Sequence, residues 1–387
     1  MENGKKTLYV QVMKAIYGML QAALLWYKKF RKDLEEHGFK FNKYDPCVAN
    51  KMVRGKQQTI RFHVDNLMSS HEDKQVNDEF EKWLQNKYGK FGAVKAHRGK
   101  SHEYLGMKFS YEKDGTVNID MMDYVTEILE EFPEKLKSTD TAITPASETL
   151  WSKGQFKALD GKRKDIFHSM VAKCLFVAKR ARADIHPTVA VFCTRVKEPH
   201  KGDWLKLRRL MRYLNGTRTM TWKIRGDDLK CIKWMVDAAF AVHPYFKSHT
   251  GATMSYGGDS RGAIQTISRK QKLNTRSSTE AELVAVDDVI TSILWTKLFM
   301  EEQGYNVEKN ILYQDNRSVI LLETNGKKSA GKRSRALNIR YFFIADQVEK
   351  KQISVEYCST DAMIGDFMMK PLQGIKFHNF RSAIMGH

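Results

Sequence analysis

Asp237 sits where a carboxylate is costly. Within CIKWMVDAAFAV, residues 231–242, it is flanked by Met235, Val236, Ala238 and Ala239 in an otherwise apolar, strand-like run. A group placed this way keeps its charge when a cation or hydrogen bonds replace the lost water. Three further acidic positions fall at the edges of expected elements: Glu280 or Glu282 in TEAE, Asp315 in QDN, and Asp366 in STDAMIGD. Like charges a few Å apart repel by roughly 4 kcal/mol per pair at an effective dielectric near 20. Four converging acids therefore make sense only around divalent metal, and two Mg²⁺ ions about 3.5–4 Å apart would clamp a phosphodiester and activate water.

The elements that must position these acids are legible. TEAE opens the apolar helical run LVAVDDVITSILWTKLFM, with Ser277, Ser278 or Thr279 as its N-cap. Asn310 to Tyr313 reads as a short strand that hands Asp315 to the carboxyl end of a sheet, where α/β proteins put their chemistry. A strand over Ile353 to Tyr357 leads through a turn to Asp366 and a final helix. Together with hairpin strands near 231–242, 250–257 and 263–269, the expected order is helix, strand, helix, helix, strand, helix. This is an α/β (α+β) arrangement, a mixed five-stranded sheet with flanking helices.

Asp237, the SSTEAEL box, YQDN and GDFMMKPL, with ALNIRYFFI and PLQGIKFHNFRSAIMG, resemble in order and spacing the ribonuclease H domain of copia-type LTR retrotransposon Pol polyproteins. The resemblance covers 229–387. It implies a catalytic and metal-binding set of Asp237, Glu282, Asp315 and Asp366, with Glu280 in reserve, two Mg²⁺ ions (Mn²⁺ as the alternative), and cleavage of RNA in RNA/DNA hybrids. The chain departs from the family at Ala336, where His is common.

Earlier segments resemble the truncated reverse transcriptase of the same polyproteins. Residues 1–132 correspond to a fingers and palm remnant, and 133–228 to a linker and a helical thumb or connection region. In KAIYGMLQAALLWY, Gly18 and Gln21 match positions that help hold template and nucleotide, although Ala23 replaces the usual Pro. The box His63-Val64-Asp65-Asn66 stands where the family carries paired metal-binding aspartates at a hairpin tip. Asn66 brings no negative charge, which lowers metal affinity, and the family's other catalytic aspartate lies upstream of this chain's start. The expectation is therefore an inactive polymerase part.

The chain has 387 residues, 42% hydrophobic, with a net charge of +20. That balance supports real cores and suggests a polyanionic partner, nucleic acid or an acidic membrane. A denser patch comprises Lys327, Lys328, Lys332, Arg333 and Arg335, and Arg340 follows it as a nucleic-acid contact. Arg180, Arg182, Lys206, Arg208, Arg209 and Arg212 lie on expected helices and lean towards phosphate contact. His243 and His249 read as a surface turn beside Pro244, and the YFF at 341–343 as core. No apolar window is long enough for a spanning helix, and no signal peptide is evident. Five scattered cysteines without a CxxC pair fit a reducing compartment, so the expected location is intracellular, cytoplasmic or nuclear. The expected partners are RNA/DNA hybrid, nucleic acid and other parts of a Pol polyprotein, with no membrane. The alternative is a degenerate copy that binds nucleic acid without catalysis, which Asn66, Ala23 and Ala336 favour.

Overall fold

Apolar residues at helical and alternating spacing, punctuated by Gly and Asn turns, build two compact units, residues 1–97 and 98–387. The computed structural model describes residues 6, 8, 16, 18, 19, 21–258, 262–326 and 338–387.

In the first unit, α1 (Ala22–Glu36) and α2 (Lys74–Tyr88) accompany an antiparallel sheet of β1 (Lys40–Phe41), β2 (Val48–Val53), β3 (Lys56–His63) and β4 (Asn66–Ser70), in that order. Arg54 and Gly55 both have positive φ, 52° and 76°, the two-residue turn that matches strand twist. Phe30 and Leu34 of α1 and Phe80 of α2 meet Ile60 and Phe62 of β3 in the core. The one acid buried there among the described residues, Asp33, is held by Lys29 at 2.8 Å, Lys87 at 3.0 Å and the Tyr88 hydroxyl. Burial opposes its charge, but these partners prevail and hold it down at about 2.

The second unit begins with β5 (Ser101–Tyr104), β6 (Met107–Tyr111), β7 (Val117–Asp120) and α3 (Met122–Glu131). The helices α4 (Gly161–Ala178), α5 (His186–Cys193) and α6 (Lys201–Gly216) follow, then β8 (Trp222–Ile224). Because β8 pairs with β7, opposing Trp222 to Ile119, residues on both sides of the expected linker share one sheet.

A five-stranded sheet follows, built from β9 (Cys231–Ala239), β10 (Lys247–Tyr256), β11 (Gln265–Asn274), β12 (Lys309–Gln314) and β13 (Ser354–Tyr357) in the order β11-β10-β9-β12-β13. The first two pairings are antiparallel and the last two parallel. Intervening helices are α7 (Ser278–Glu302), α8 (Arg317–Asn325) and α9 (Asn338–Glu349), with α10 (Gly374–Met385) closing the chain. This is the expected architecture. Central β9 is buried on both faces, which explains its apolar run. Trp234 and Val236 pack with Ala285, Val289 and Ile293 of α7.

Two expectations fail on burial. His243 and His249 are not on a surface turn. His249 is fully buried, shares a 2.9 Å hydrogen bond with His243 and another with Ser268, and both rings meet the edge of Trp151. Of the helical cations, Arg182 is buried and binds both Asp184 carboxylate oxygens and Thr217, while Lys206 and Arg209 bond backbone carbonyls at Leu150 and Thr144. Arg208 pairs with Glu134 at 2.9 Å. Their charge is spent on fixing loops to helices. In the YFF segment Phe343 is exposed, and the side chains of Tyr341 and Phe342 lie outside the described residues. All five cysteines are free.

Candidate metal centre

Each acid arrives on a different element. Asp237 lies two residues from the carboxyl end of β9 and is 4% exposed. Ser277 caps α7 by accepting from the Glu280 amide, and Glu282 follows just past the first turn, 7% exposed. Asp315 follows the last residue of β12, and Asn316 caps α8 through Ser318. Asp366 comes on the 3₁₀ turn Ile364–Met368.

The Asp366 turn reaches the sheet because two glycines let backbones approach. Gly251 of β10 lies directly opposite Asp237, and a Cβ there would stand 2.8 Å from the Gly365 carbonyl oxygen. A Cβ on Gly365 would stand 3.0 Å from the Met235 carbonyl oxygen. Neither glycine needs positive φ; both are there for space. Sequence reasoning passed over them, although a glycine inside a strand pattern is the signal.

Asp237, Glu282 and Asp315 each offer a carboxylate oxygen, the three within 4.8 Å of one another. Asp366 joins through a hydrogen bond shared with Asp237. Of the sequence-expected set, all four acids therefore gather. Glu280 does not: it accepts from the Arg276 amide at 2.7 Å and caps the helix.

The electrostatics show what such convergence costs. Asp237 is pushed far above the carboxylate range, first by burial, then by its bond with Asp366 and the charge of Asp315. Asp366 moves the other way despite its burial, because Asp237, Lys370 and Lys376 hydrogen-bond to it. The two carboxyls titrate as a pair, Asp237 raised and Asp366 lowered. Glu282 is raised to about 7 by burial and by Asp315, against a hydrogen bond from Asn316. Lys370, four residues after Asp366, ion-pairs with it and reaches within 3.8 Å of Asp237, while Lys376 stands 3.1 Å from Asp366. Asp315 accepts from Thr360 at 2.9 Å.

These residues fit a divalent cation. All donors are hard carboxylate oxygens, three are close enough to share an ion, and Glu282 keeps one buried oxygen, Oε2, with no hydrogen-bond partner among the described residues. Behind it, Glu323 of α8 is fully buried, neither carboxyl oxygen has a partner among the described residues, and burial and Glu282 drive it well above its ordinary pKa.

The polymerase-like residues are exposed by comparison. Gly18 lies in an exposed turn with φ 91°, and Gln21 is the exposed residue before α1. His63 ends β3, Asp65 lies in the two-residue tip, and Asn66 begins β4; all three are exposed. Lys327, Lys328, Lys332, Arg333 and Arg335 lie outside the described residues, as does Ala336, and Arg340 is placed on α9 by backbone alone.

Comparison with known proteins bears on this arrangement. Residues 1–148 match the family described as reverse transcriptase (RNA-dependent DNA polymerase). Nearly the whole chain, 99%, aligns at 26% identity with 28% of a retrovirus-related Pol polyprotein from transposon TNT 1-94 of Nicotiana tabacum. Nearly the whole chain is thus similar to retrotransposon Pol polyproteins. A second such relative, the Pol polyprotein from transposon RE1 of Arabidopsis thaliana, is 26% identical over 97% of the chain and 25% of the relative. The chain thus spans about a quarter of the length of these Pol relatives. A solved foamy viral protease-reverse transcriptase in complex with RNA/DNA hybrid has a TM-score of 0.49 at 11% identity, covering 89% of this chain and 39% of that one. No helix among the described residues is long and apolar enough to cross a membrane.

Proposed function

We propose that the five-stranded-sheet region of this Pol chain, 229–387, is a metal-dependent ribonuclease H that cuts the RNA strand of RNA/DNA hybrids. The observation carrying this is the convergence of Asp237, Glu282 and Asp315 oxygens within 4.8 Å, with Asp366 hydrogen-bonded to Asp237. Asp237, Glu282, Asp315 and Asp366 would hold Mg²⁺, or Mn²⁺ in its place, as two ions. Divalent cations bound there supply Lewis acidity, activating water and neutralising charge on the leaving 3′ oxygen.

The chain's own residues do the rest. With a cation held there Asp237 would be ionised and Lys370, which reaches within 3.8 Å of it, would give way, while Lys376 would stay beside Asp366. Asn316 orients Glu282 by hydrogen bond, and Thr360 fixes one oxygen of Asp315. Lys327, Lys328, Lys332, Arg333, Arg335 and Arg340 would grip phosphates, and 2′-hydroxyl contacts across a shallow minor groove would select the hybrid. The His63–Asn66 turn would not support nucleotide addition, because Asn66 supplies no charge for metal.

Cleavage of an end-labelled RNA/DNA hybrid in Mg²⁺ tests the proposal. Asp237→Asn or Asp315→Asn should each reduce the rate by more than about 100-fold, beyond the effect of losing a group that merely orients a metal ligand. An unmodified chain that cuts nothing over a range of Mg²⁺ and Mn²⁺ would reject it. One observation favours a second reading, nucleic-acid binding without catalysis: Lys370 and Lys376 already neutralise Asp366, so the cluster persists without metal. Salt-dependent hybrid binding with no turnover would select that reading.

A further inference from the structure

The turn between β9 and β10 carries two large aromatic side chains that the sheet's core does not use. Tyr245 is 82% exposed and Phe246 75%, with Phe240 at 41% on the same loop. Single exposed apolar residues are ordinary; adjacent aromatics this far into solvent are not. The backbone presenting them is left-handed at Ala241, Tyr245 and Phe246, with φ of 55°, 61° and 56°, a conformation that non-glycine residues seldom adopt.

That backbone is fixed from several sides. Asn274 donates to the Tyr245 carbonyl at 3.0 Å, the His243 amide to the Lys247 carbonyl at 2.9 Å, and the Ala241 amide to the Ser248 hydroxyl at 3.1 Å. Ser248 is itself buried against Thr275. The neighbouring charge is positive: the Lys247 ammonium donates to the Lys272 carbonyl, and Lys272 and Arg276 are exposed. Asp237 is three residues before Phe240, and Arg276 immediately precedes the Ser277 cap that leads to Glu282, so the loop and its cations lie at the acid-bearing end of the sheet.

We propose that Tyr245 and Phe246 form a stacking platform for unpaired bases of a nucleic-acid strand that runs past the acidic cluster, its phosphates tracked by Lys247, Lys272 and Arg276. Exposed aromatic faces beside cations recognise single strands regardless of sequence, whereas duplexed bases present no free face. The partner class rests on the proposed function, but the stacking does not depend on cleavage.

The test is binding of fluorescently labelled RNA/DNA hybrids by anisotropy in EDTA, comparing a blunt hybrid with one carrying a single-stranded overhang. The unmodified chain should bind the overhang hybrid about tenfold more tightly, the size expected of stacking on one or two bases. Tyr245→Ala/Phe246→Ala should abolish that preference while leaving blunt-hybrid affinity unchanged. Tyr245→Leu/Phe246→Leu should abolish it too, and Tyr245→Trp/Phe246→Trp should retain it. Both side chains are exposed, so these variants keep the fold, which circular dichroism checks. Absence of an overhang preference, its survival in the alanine pair, or its survival in the leucine pair would overturn the proposal, the last by showing an apolar contact of the kind a protein partner makes. A chain that never cleaves but shows the aromatic-dependent preference would reject the nuclease reading and leave this one standing.

Discussion

Two acid-bearing turns in this chain look alike in sequence and differ in surroundings. His63-Val64-Asp65-Asn66 is a hairpin tip in the first unit, open to solvent on all four residues. The tip is pinned by the Trp26 indole donating to the Val64 carbonyl at 2.7 Å, and Asp65 belongs to no cluster of three or more potential metal ligands among the described residues. Asp237 has the opposite setting: buried, beside three other acids from three other elements, and countered by Lys370. A carboxylate in water needs no partner and so attracts none strongly. A carboxylate in the sheet's interior must be protonated, ion-paired or metal-bound, and that requirement gives the second site its chemistry.

The comparison breaks most readily at Gly251. Gly251→Ala places a methyl 2.8 Å from the Gly365 carbonyl, so the Asp366 turn must lift from the sheet. Hybrid cleavage should fall about 100-fold, the cost of a misplacement near 1 Å, and urea midpoints should drop by the equivalent of about 1–3 kcal/mol. If both stay at the level of the unmodified chain, close backbone approach is not what delivers Asp366.

Removing metal at different pH sharpens the difference next. Glu282, raised to about 7, retains a proton in the folded chain that the unfolded chain releases near the ordinary carboxylate value. Its contribution to stability is therefore full at low pH and is lost as pH rises from about 4.5 to 7, by about 3 kcal/mol in the metal-free protein. Cations need the ionised form, so the melting-temperature gain from Mg²⁺ should grow across the same window. Glu282→Gln should flatten both trends. No comparable dependence on Mg²⁺ is expected from Asp65→Asn.

Glu323 asks whether burial alone, without convergence, burdens an acid. Its carboxyl is fully buried and has no hydrogen-bond partner among the described residues. Glu323→Leu should raise stability by about 1–2 kcal/mol in denaturant titration, as replacement of an uncompensated buried polar group by an apolar one does. The smallest effect is expected in the first unit. Asn66→Asp restores the missing charge but not the enclosure, and primer extension should remain at background; robust synthesis would show that charge, not surroundings, was the deficit.

Much of this was readable before any coordinates. The apolar run around Asp237 announced a central strand, the Ser277 cap preceded a long helix, and Asp315 and Asp366 fell at element ends as the spacing required. What sequence did not disclose depends on register and packing. Gly251 matters because it opposes Asp237 across the β9–β10 pair, a relation invisible without alignment of the strands. His243 and His249 sit beside Pro244 and look like surface, yet Trp151, about ninety residues upstream, covers both rings. Lys370 had a local signal, its spacing of four from Asp366, but only the fold shows that it also approaches Asp237.

The most direct measurement is anomalous diffraction from crystals grown with Mn²⁺ and an uncleavable hybrid. The account predicts density within about 2.0–2.3 Å of the Asp237 carboxylate, shared with Glu282, Asp315 or Asp366, and Lys370 displaced from Asp237. Crystals with no peak at the cluster and Lys370 still beside Asp237 would contradict it.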